Sequence, residues 1–323
     1  MRLRRTSRKR GLRLFFATDI HGSDTCFRKF LNSGAFFDIS LLVLGGDIVG
    51  KMLIPITKHA GGAYSARYGE HVYEDLTAGG LAELTADIRR SGHYYVVGDA
   101  DALAELEDEQ KRDRVFRQVV CESITDWVAL AEERLRGSGR RLFVAPGNDD
   151  FFDIDTSLRG SDVVEFAEGR CISVDGYEMI TTGFSNPTPW ETDRELPEPQ
   201  LREKIEAMAR DARPDAELVA VLHAPPYNTA IDSAPSLDEE LRMSVGAGGV
   251  QMAPVGSTAV REFIEHGQPL LSLHGHVHEG KGVAQIGRTL CINPGSEYTQ
   301  GVLSGALIEL GEHEILSHQF VTG

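Results

Sequence analysis

Paired cysteines and long apolar runs are both missing from this chain of 323 residues. Its four cysteines, Cys26, Cys121, Cys171 and Cys291, are scattered with no CxxC spacing, which excludes a thiolate zinc site and gives no sign of a disulfide framework. They read as small apolar packing residues in a reducing, cytoplasmic compartment. No stretch approaches the roughly 20 apolar residues that a membrane-spanning helix needs, so no membrane partner is expected. Positive charge is short as well: 33 Lys and Arg against 49 Asp and Glu leave a formal net charge of -16. Repulsion at that charge opposes the coating of nucleic acid or anionic lipid, and nucleic acid is expected only as short oligonucleotides. Many of the basic residues crowd the start of the chain, where residues 1–11 read as a basic flexible tail.

What is present is an ordinary globular composition, 41% hydrophobic and 25% charged, with histidine and acidic residues placed in a pattern. Leu12 to Thr18 is apolar and runs into Asp19-Ile20-His21-Gly22. Ile39 to Leu44 runs into Gly45-Gly46-Asp47, and Arg141 to Pro146 into Gly147-Asn148-Asp149-Asp150. Glu217 to Leu222 ends at His223, and Leu270 to Leu273 at His274-Gly275-His276-Val277-His278. If that last stretch stays extended, His276 and His278 share a face. Taken alone it is only a compositional hint of metal binding. Five strand ends that each deliver Asp, Asn or His are another matter, because ligands of open α/β sheets bind outside the carboxyl ends of the strands.

Between these runs the periodicity alternates. Asp24 is placed to cap a helix through about Ser33 whose buried face carries Phe27, Phe30 and Leu31, completing a βαβ unit. A stretch at about 51–140 interrupts the rhythm and reads as an insertion beside the site. It contains a hairpin around Gly61-Gly62, then charged helices over Leu76 to Arg90 and Ala102 to Arg136, the last striped by Trp127, Leu130, Ala131 and Leu135. A second hairpin is expected around Asp175-Gly176, helices over Gln200 to Ala212 and Thr258 to His266, and short strands after Val283. Asn228 to Pro254 reads as a long loop. The fold class is α/β.

Carboxylates and imidazoles without thiolates favour Mn, Fe, Co, Ni or Zn. Two such ions sharing one carboxylate polarise a phosphoryl oxygen and generate hydroxide at neutral pH. In order and identity, Asp19-x-His21, Gly46-Asp47, Gly147-Asn148-Asp149-Asp150, His223 and Gly275-His276-x-His278 resemble the DxH, GD, GNH[DE], H and GHxH motifs of the calcineurin-like metallophosphoesterase superfamily. The match spans residues 19 to 278.

The resemblance implies a two-sheet β-sandwich flanked by helices, a four-layer αββα arrangement, with residues 12–323 as a single metallophosphoesterase domain. It implies two divalent metal ions, Mn²⁺ first, one held by Asp19, His21, Asp47 and His278 and the other by Asp47, Asn148, His223 and His276. Catalysis would fall to Asp47, Asn148, Asp149 and Asp150. The absence of Asp-Arg-Gly after Asp47 argues against the protein phosphatase branch. Asp149 stands where many members carry the histidine that protonates the leaving oxygen; smaller bacterial and archaeal phosphodiesterase-like members also lack that histidine, often with Cys in its place, and many of them share a segment like Asn293-Pro294-Gly295-Ser296. Phosphodiester hydrolysis of a small substrate is therefore the expected activity. Its rivals are a phosphomonoesterase or nuclease of the same fold, and a metal- and nucleotide-binding protein with weak or lost catalysis. His274 is expected to support the site rather than to ligate, and Lys58 and Arg67 to lie on a solvated face.

Overall fold

The computed structural model describes residues 11–238, 240–246 and 249–323. Apart from Gly11, the tail read at residues 1–11 lies outside them. The first apolar run forms β1 (Leu12–Ala17), and α1 (Asp24–Phe36) returns the chain to β2 (Leu41–Gly45). Ser23 caps α1 in place of the expected Asp24. Its hydroxyl accepts from the Cys26 N–H, while Asp24 places negative charge in the first turn and accepts from Trp127 Nε1 at 2.9 Å.

The stretch from 51 to 140 supplies β3 (Leu53–Lys58), β4 (Tyr64–Tyr68), β5 (His71–Leu76), α2 (Ala78–Arg90), β6 (Tyr94–Gly98), α3 (Ala100–Ala104) and α4 (Glu109–Leu135). The turn at Gly61-Gly62 joins β3 to β4 with Ile56 opposite Ala66, and the small sheet runs β5-β4-β3-β6. Its own core is Ile54, Ile56, Ala66, Leu84 and Ile88. Two of its strands, β5 and β6, add to the hairpin expected from sequence.

From there the chain forms β7 (Arg141–Ala145), α5 (Ile154–Arg159), β8 (Val164–Phe166), the hairpin β9 (Arg170–Val174) and β10 (Tyr177–Thr182), α6 (Glu198–Arg210) and β11 (Glu217–Leu222). The expected long loop holds two ribbons: β12 (Ser233–Pro235) pairs with β15 (Met252–Pro254), and β13 (Val245–Gly246) with β14 (Gly249–Val250). Then come α7 (Thr258–Gly267), β16 (Leu271–Leu273), β17 (Gly282–Ile286), β18 (Thr289–Asn293), β19 (Ser304–Leu310) and β20 (Ile315–Thr322).

Two six-stranded sheets result, ordered β20-β19-β1-β2-β7-β8 and β17-β18-β16-β11-β10-β9. Alternation along the strands decides what each face meets. Leu14, Phe16, Val43 and Phe143 turn toward Met179, Val219, Val221, Leu271 and Leu273 of the second sheet, forming the layer between the sheets. Phe15, Leu42, Leu44 and Val144 turn the other way, onto α1 and the stripe Val120, Ile124, Trp127, Ala131 and Leu135 of α4. Ile180, Ala220 and Leu222 meet Leu201, Ile205 and Met208 of α6 and Val260 and Ile264 of α7. The layers are thus helix, sheet, sheet, helix. Burying each Phe, Leu or Ile contributes about 1.5–3 kcal/mol. The Trp127 and Phe27 rings stack at 4.3 Å and 5° and add about 0.5–1.5 kcal/mol. Among the described residues no helix is long and apolar enough to cross a membrane.

Candidate metal centre

Strands β1, β2 and β7 run parallel in one sheet, and β10, β11, β16 and β18 in the other. The loops after β1, β2, β7, β11 and β16 therefore meet. The Asp19, His21 and Gly22 N–H groups donate to the Gly46, Asp47 and Ile48 carbonyls, at 2.9, 3.0 and 2.7 Å, zipping the first two loops together. The His276 N–H donates to Asp19 Oδ1 at 3.0 Å and the Ser296 hydroxyl to the Asp19 carbonyl at 2.6 Å, so the second sheet's loops close onto the first.

Two groups of side chains face one another. Asp19, His21 and His278 form one and Asp47, His223 and His276 the other, the ligand-capable atoms of each lying within 4.8 Å of one another. Asp47 stands between them: its Oδ2 is 3.7 Å from His21 Nε2 and its Oδ1 3.3 Å from His223 Nε2. Asn148 Oδ1 lies 2.7 Å from His276 Nδ1, beside the second group. All seven residues that the motif resemblance implicates as metal ligands are therefore brought together.

The histidine tautomers fit a cation between the groups. His223 Nδ1 meets the Gly45 carbonyl at 3.2 Å and His21 Nδ1 the Val49 carbonyl at 3.3 Å; each nitrogen can only donate there, so in the neutral imidazole the Nε2 lone pair faces inward. His223 Nε2 is fully buried and faces Asp47 Oδ1 at 3.3 Å. His21 Nε2 and His278 Nε2 face each other at 3.0 Å. Burial alone would raise Asp47, but the imidazoles of His223, His21 and His276 outweigh it and hold the carboxyl far below its usual range. Burial pushes His21 and His276 down to about 4, keeping them neutral as ligands must be. His223 goes the other way, to about 10, because the Asp47 and Asp19 charges overcome its burial. The pocket demands positive charge, which a proton or a divalent cation can supply.

Backbone strain concentrates at the same place. Asp19 (φ 51°), His21 (39°), Asp47 (46°) and His276 (67°) all adopt left-handed conformations that cost side-chain-bearing residues energy. The condition for a shared face, an extended His276-Val277-His278, is therefore not met. Beyond Leu273 the Val277 N–H turns back to the Gly275 carbonyl at 2.7 Å, and the two imidazoles part into different groups instead of sharing a face. Glycine is required at 147 and 275, where a Cβ would run into the Asp47 and Asp19 carboxylates.

The neighbours take distinct roles. Asp150 is fully buried and accepts from the Ile48 (3.0 Å), Val49 (2.8 Å) and Gly147 (2.6 Å) N–H groups, tying the Asn148 loop to the Asp47 loop. It is a positioning residue. His274 is buried too, its Nδ1 shared between the Leu222 and Ala224 carbonyls on either side of His223. Asp149 is at the mouth, pushed up to about 6 by burial and by Asp47 against the opposing pull of Lys51, whose Nζ it pairs with. Lys58 is at the far end of β3, and Arg67 lines a separate groove with Tyr73, Leu103 and Arg112.

Sequence reasoning missed Lys51, Thr192, whose hydroxyl takes the Asn148 amide at 2.9 Å, and Tyr298, whose ring lies 4.7 Å from His21. Asn293 and Ser296, visible as a shared segment, turn out to hold the HGHVH loop and Asp19. The Asn293 amide donates to the Gly275 and Val277 carbonyls at 3.1 and 2.9 Å and accepts from the Gly295 N–H at 2.8 Å.

Layer order, parallel strands and the ring of Asp and His loops define a four-layer α/β fold, helix, sheet, sheet, helix, with a candidate metal centre at the carboxyl ends of its parallel strands. No protein-family model matches the chain. The uncharacterized protein MJ1162 of Methanocaldococcus jannaschii is 25% identical over 207 residues, 62% of this chain and 87% of that protein. TT1561 of Thermus thermophilus superposes with a TM-score of 0.54 at 13% identity, over 97% of this chain and 98% of its own. A further solved structure reaches a TM-score of 0.56 at 18% identity, covering 96% and 98%. These likenesses concern the fold alone.

Proposed function

We propose that the chain is a divalent-metal-dependent phosphoesterase that hydrolyses phosphodiesters of small substrates. The observation that carries this reading is the single Asp47 carboxylate set between two imidazole groups, its two oxygens facing the buried Nε2 atoms of His21 and His223. Asp19, His21, Asp47 and His278 would hold one ion, and Asp47, Asn148, His223 and His276 the other. When bound, such a pair supplies Lewis-acid charge for a phosphoryl oxygen and lowers the pKa of water. Manganese is favoured among Mn, Fe, Zn, Ni and Co by this mix of hard carboxylates and imidazoles without thiolate. The four free cysteines support a reducing, cytoplasmic setting.

The chain's own residues do the rest. Asp150 and Asn293 fix the loops, and the Gly45 and Val49 carbonyls fix the tautomers of His223 and His21. At the mouth, Asp149 and Lys51 form the only ion pair between a Lys and the motif residues, among those described. The pairing with Lys51 favours the ionised form of Asp149, which leaves less acid for the leaving oxygen and supports esters with good leaving groups. The same pair favours a second reading, a metal-binding protein with little turnover, because it ties down the carboxylate at the leaving-group position. Mn²⁺-dependent cleavage of bis-p-nitrophenyl phosphate against p-nitrophenyl phosphate separates these possibilities, with Asn148→Ala as control. Diester turnover lost in the variant supports the phosphodiesterase. Faster monoester cleavage makes it a phosphomonoesterase, and metal binding without any cleavage favours the second reading.

A further inference from the structure

The loop between β10 and α6 names a substrate class, and the inference rests on the phosphoesterase reading above. It presents Trp190, which is 62% exposed, whereas the chain's other tryptophan, Trp127, is 4% exposed and stacked on Phe27. A lone exposed apolar side chain on a surface loop means little. This loop, however, is pinned from within. The Glu195 carboxylate accepts from the Thr188 N–H (2.9 Å) and hydroxyl (2.5 Å) and from the Thr192 N–H (3.0 Å) and hydroxyl (2.7 Å). The Trp190 N–H donates to the Thr188 hydroxyl at 3.2 Å.

The loop is also bonded to the metal centre. Thr192, two residues from Trp190, takes the Asn148 amide on its hydroxyl. Two residues of chain span at most about 7 Å. Beneath the loop, the buried Arg194 guanidinium donates to the Asp150 carbonyl at 2.7 Å and to Asp155 at 2.6 Å, and the Arg194 N–H donates to the Asn148 carbonyl at 3.3 Å. At the loop's root the Asn186 amide donates to the Val255 carbonyl, two residues before Ser257, which is bridged to Pro226 next to the 38% exposed Tyr227. The pinned loop thus carries an exposed indole two residues from a side chain bonded to the candidate ligand Asn148.

We propose that Trp190 is a stacking platform for a planar heteroaromatic group joined to the phosphorus through a sugar, which makes the substrates nucleoside phosphates. Indole–base stacking needs no base-specific hydrogen bond, because every base has a π face. The chain's negative charge opposes long polyanions and not a single nucleotide.

The test is calorimetric titration of the Mn²⁺-loaded protein with adenosine 5′-monophosphate and with ribose 5-phosphate, which carries the same phosphate and no base. The native protein and Trp190→Phe should prefer the nucleotide by about tenfold or more, and Trp190→Ala should reduce the preference to roughly twofold or less. Ribose 5-phosphate should bind all three alike. The exposed indole's fluorescence should be quenched by the nucleotide only. Equal affinities in the native protein, a preference surviving in Trp190→Ala, or no nucleotide binding at all would each overturn the proposal and leave Trp190 as a docking point for another protein. Failure of the phosphoesterase reading registers separately, as absence of Mn²⁺-dependent ester cleavage, and does not alter this ratio of affinities.

Discussion

Replacing Asn293 by alanine tests whether the metal centre depends on residues that can never touch a metal. The side chain is fully buried, donates two hydrogen bonds to the turn that carries His276 and His278, and accepts a third from the Gly295 N–H of its own turn. At about 1 kcal/mol net for each, the loss is about 3 kcal/mol, since the two carbonyls and the N–H left behind are sealed from water. That is a large part, but not all, of the roughly 5–15 kcal/mol typical of a folded domain, so the variant should still fold. Freed from Asn293, the turn no longer holds two imidazoles at fixed positions in two different groups, and Mn²⁺ affinity should fall about 10- to 100-fold. Urea unfolding in the presence of a chelator gives the first quantity, and calorimetric titration with Mn²⁺ the second. A stability change below about 1 kcal/mol together with unaltered Mn²⁺ affinity would refute the reasoning.

Two other substitutions separate parts of the structure. Asp47→Asn should abolish binding of both ions, whereas Asp19→Asn should weaken chiefly the ion of its own group; calorimetric stoichiometry distinguishes the two, and matching behaviour would remove Asp47 from the bridging position. Trp127→Ala removes the stack on Phe27 and the hydrogen bond to Asp24 and should cost about 3–5 kcal/mol in denaturant unfolding without changing Mn²⁺ stoichiometry.

The parts of this molecule legible in the sequence are those whose signal is local. Glu217 to Leu222 is a strand with the boundaries expected, because the apolar run after Glu217 ends at His223, with two prolines following Ala224. The motif residues were legible because each terminates such a run. β5 (HVYEDL) is an exposed edge strand with no alternating apolar face, and nothing in those six residues says strand until β4 lies beside them. Ser23 and Asp24 are both competent caps, and the choice between them falls to Trp127, about 100 residues away, which occupies Asp24. Lys51 and Thr192 act on Asp149 and Asn148 across the fold, and the left-handed turn at His276 exists only because Asp19 is there to receive its N–H.

β1 lies inside its sheet only because β19 covers its second edge, Leu12 opposite Leu310 and Ala17 opposite Gly305. On a ribosome this covering strand emerges about 300 residues after β1. Through most of synthesis the strand that carries Phe15 and Phe16 and leads into Asp19 therefore has an open edge, which is the kind of surface on which chains pair with one another. A chain cut before Ser304 keeps every motif residue and still leaves that edge bare. Such a truncation should yield insoluble material, and the solubility of this protein is decided by its last two strands as much as by its charge.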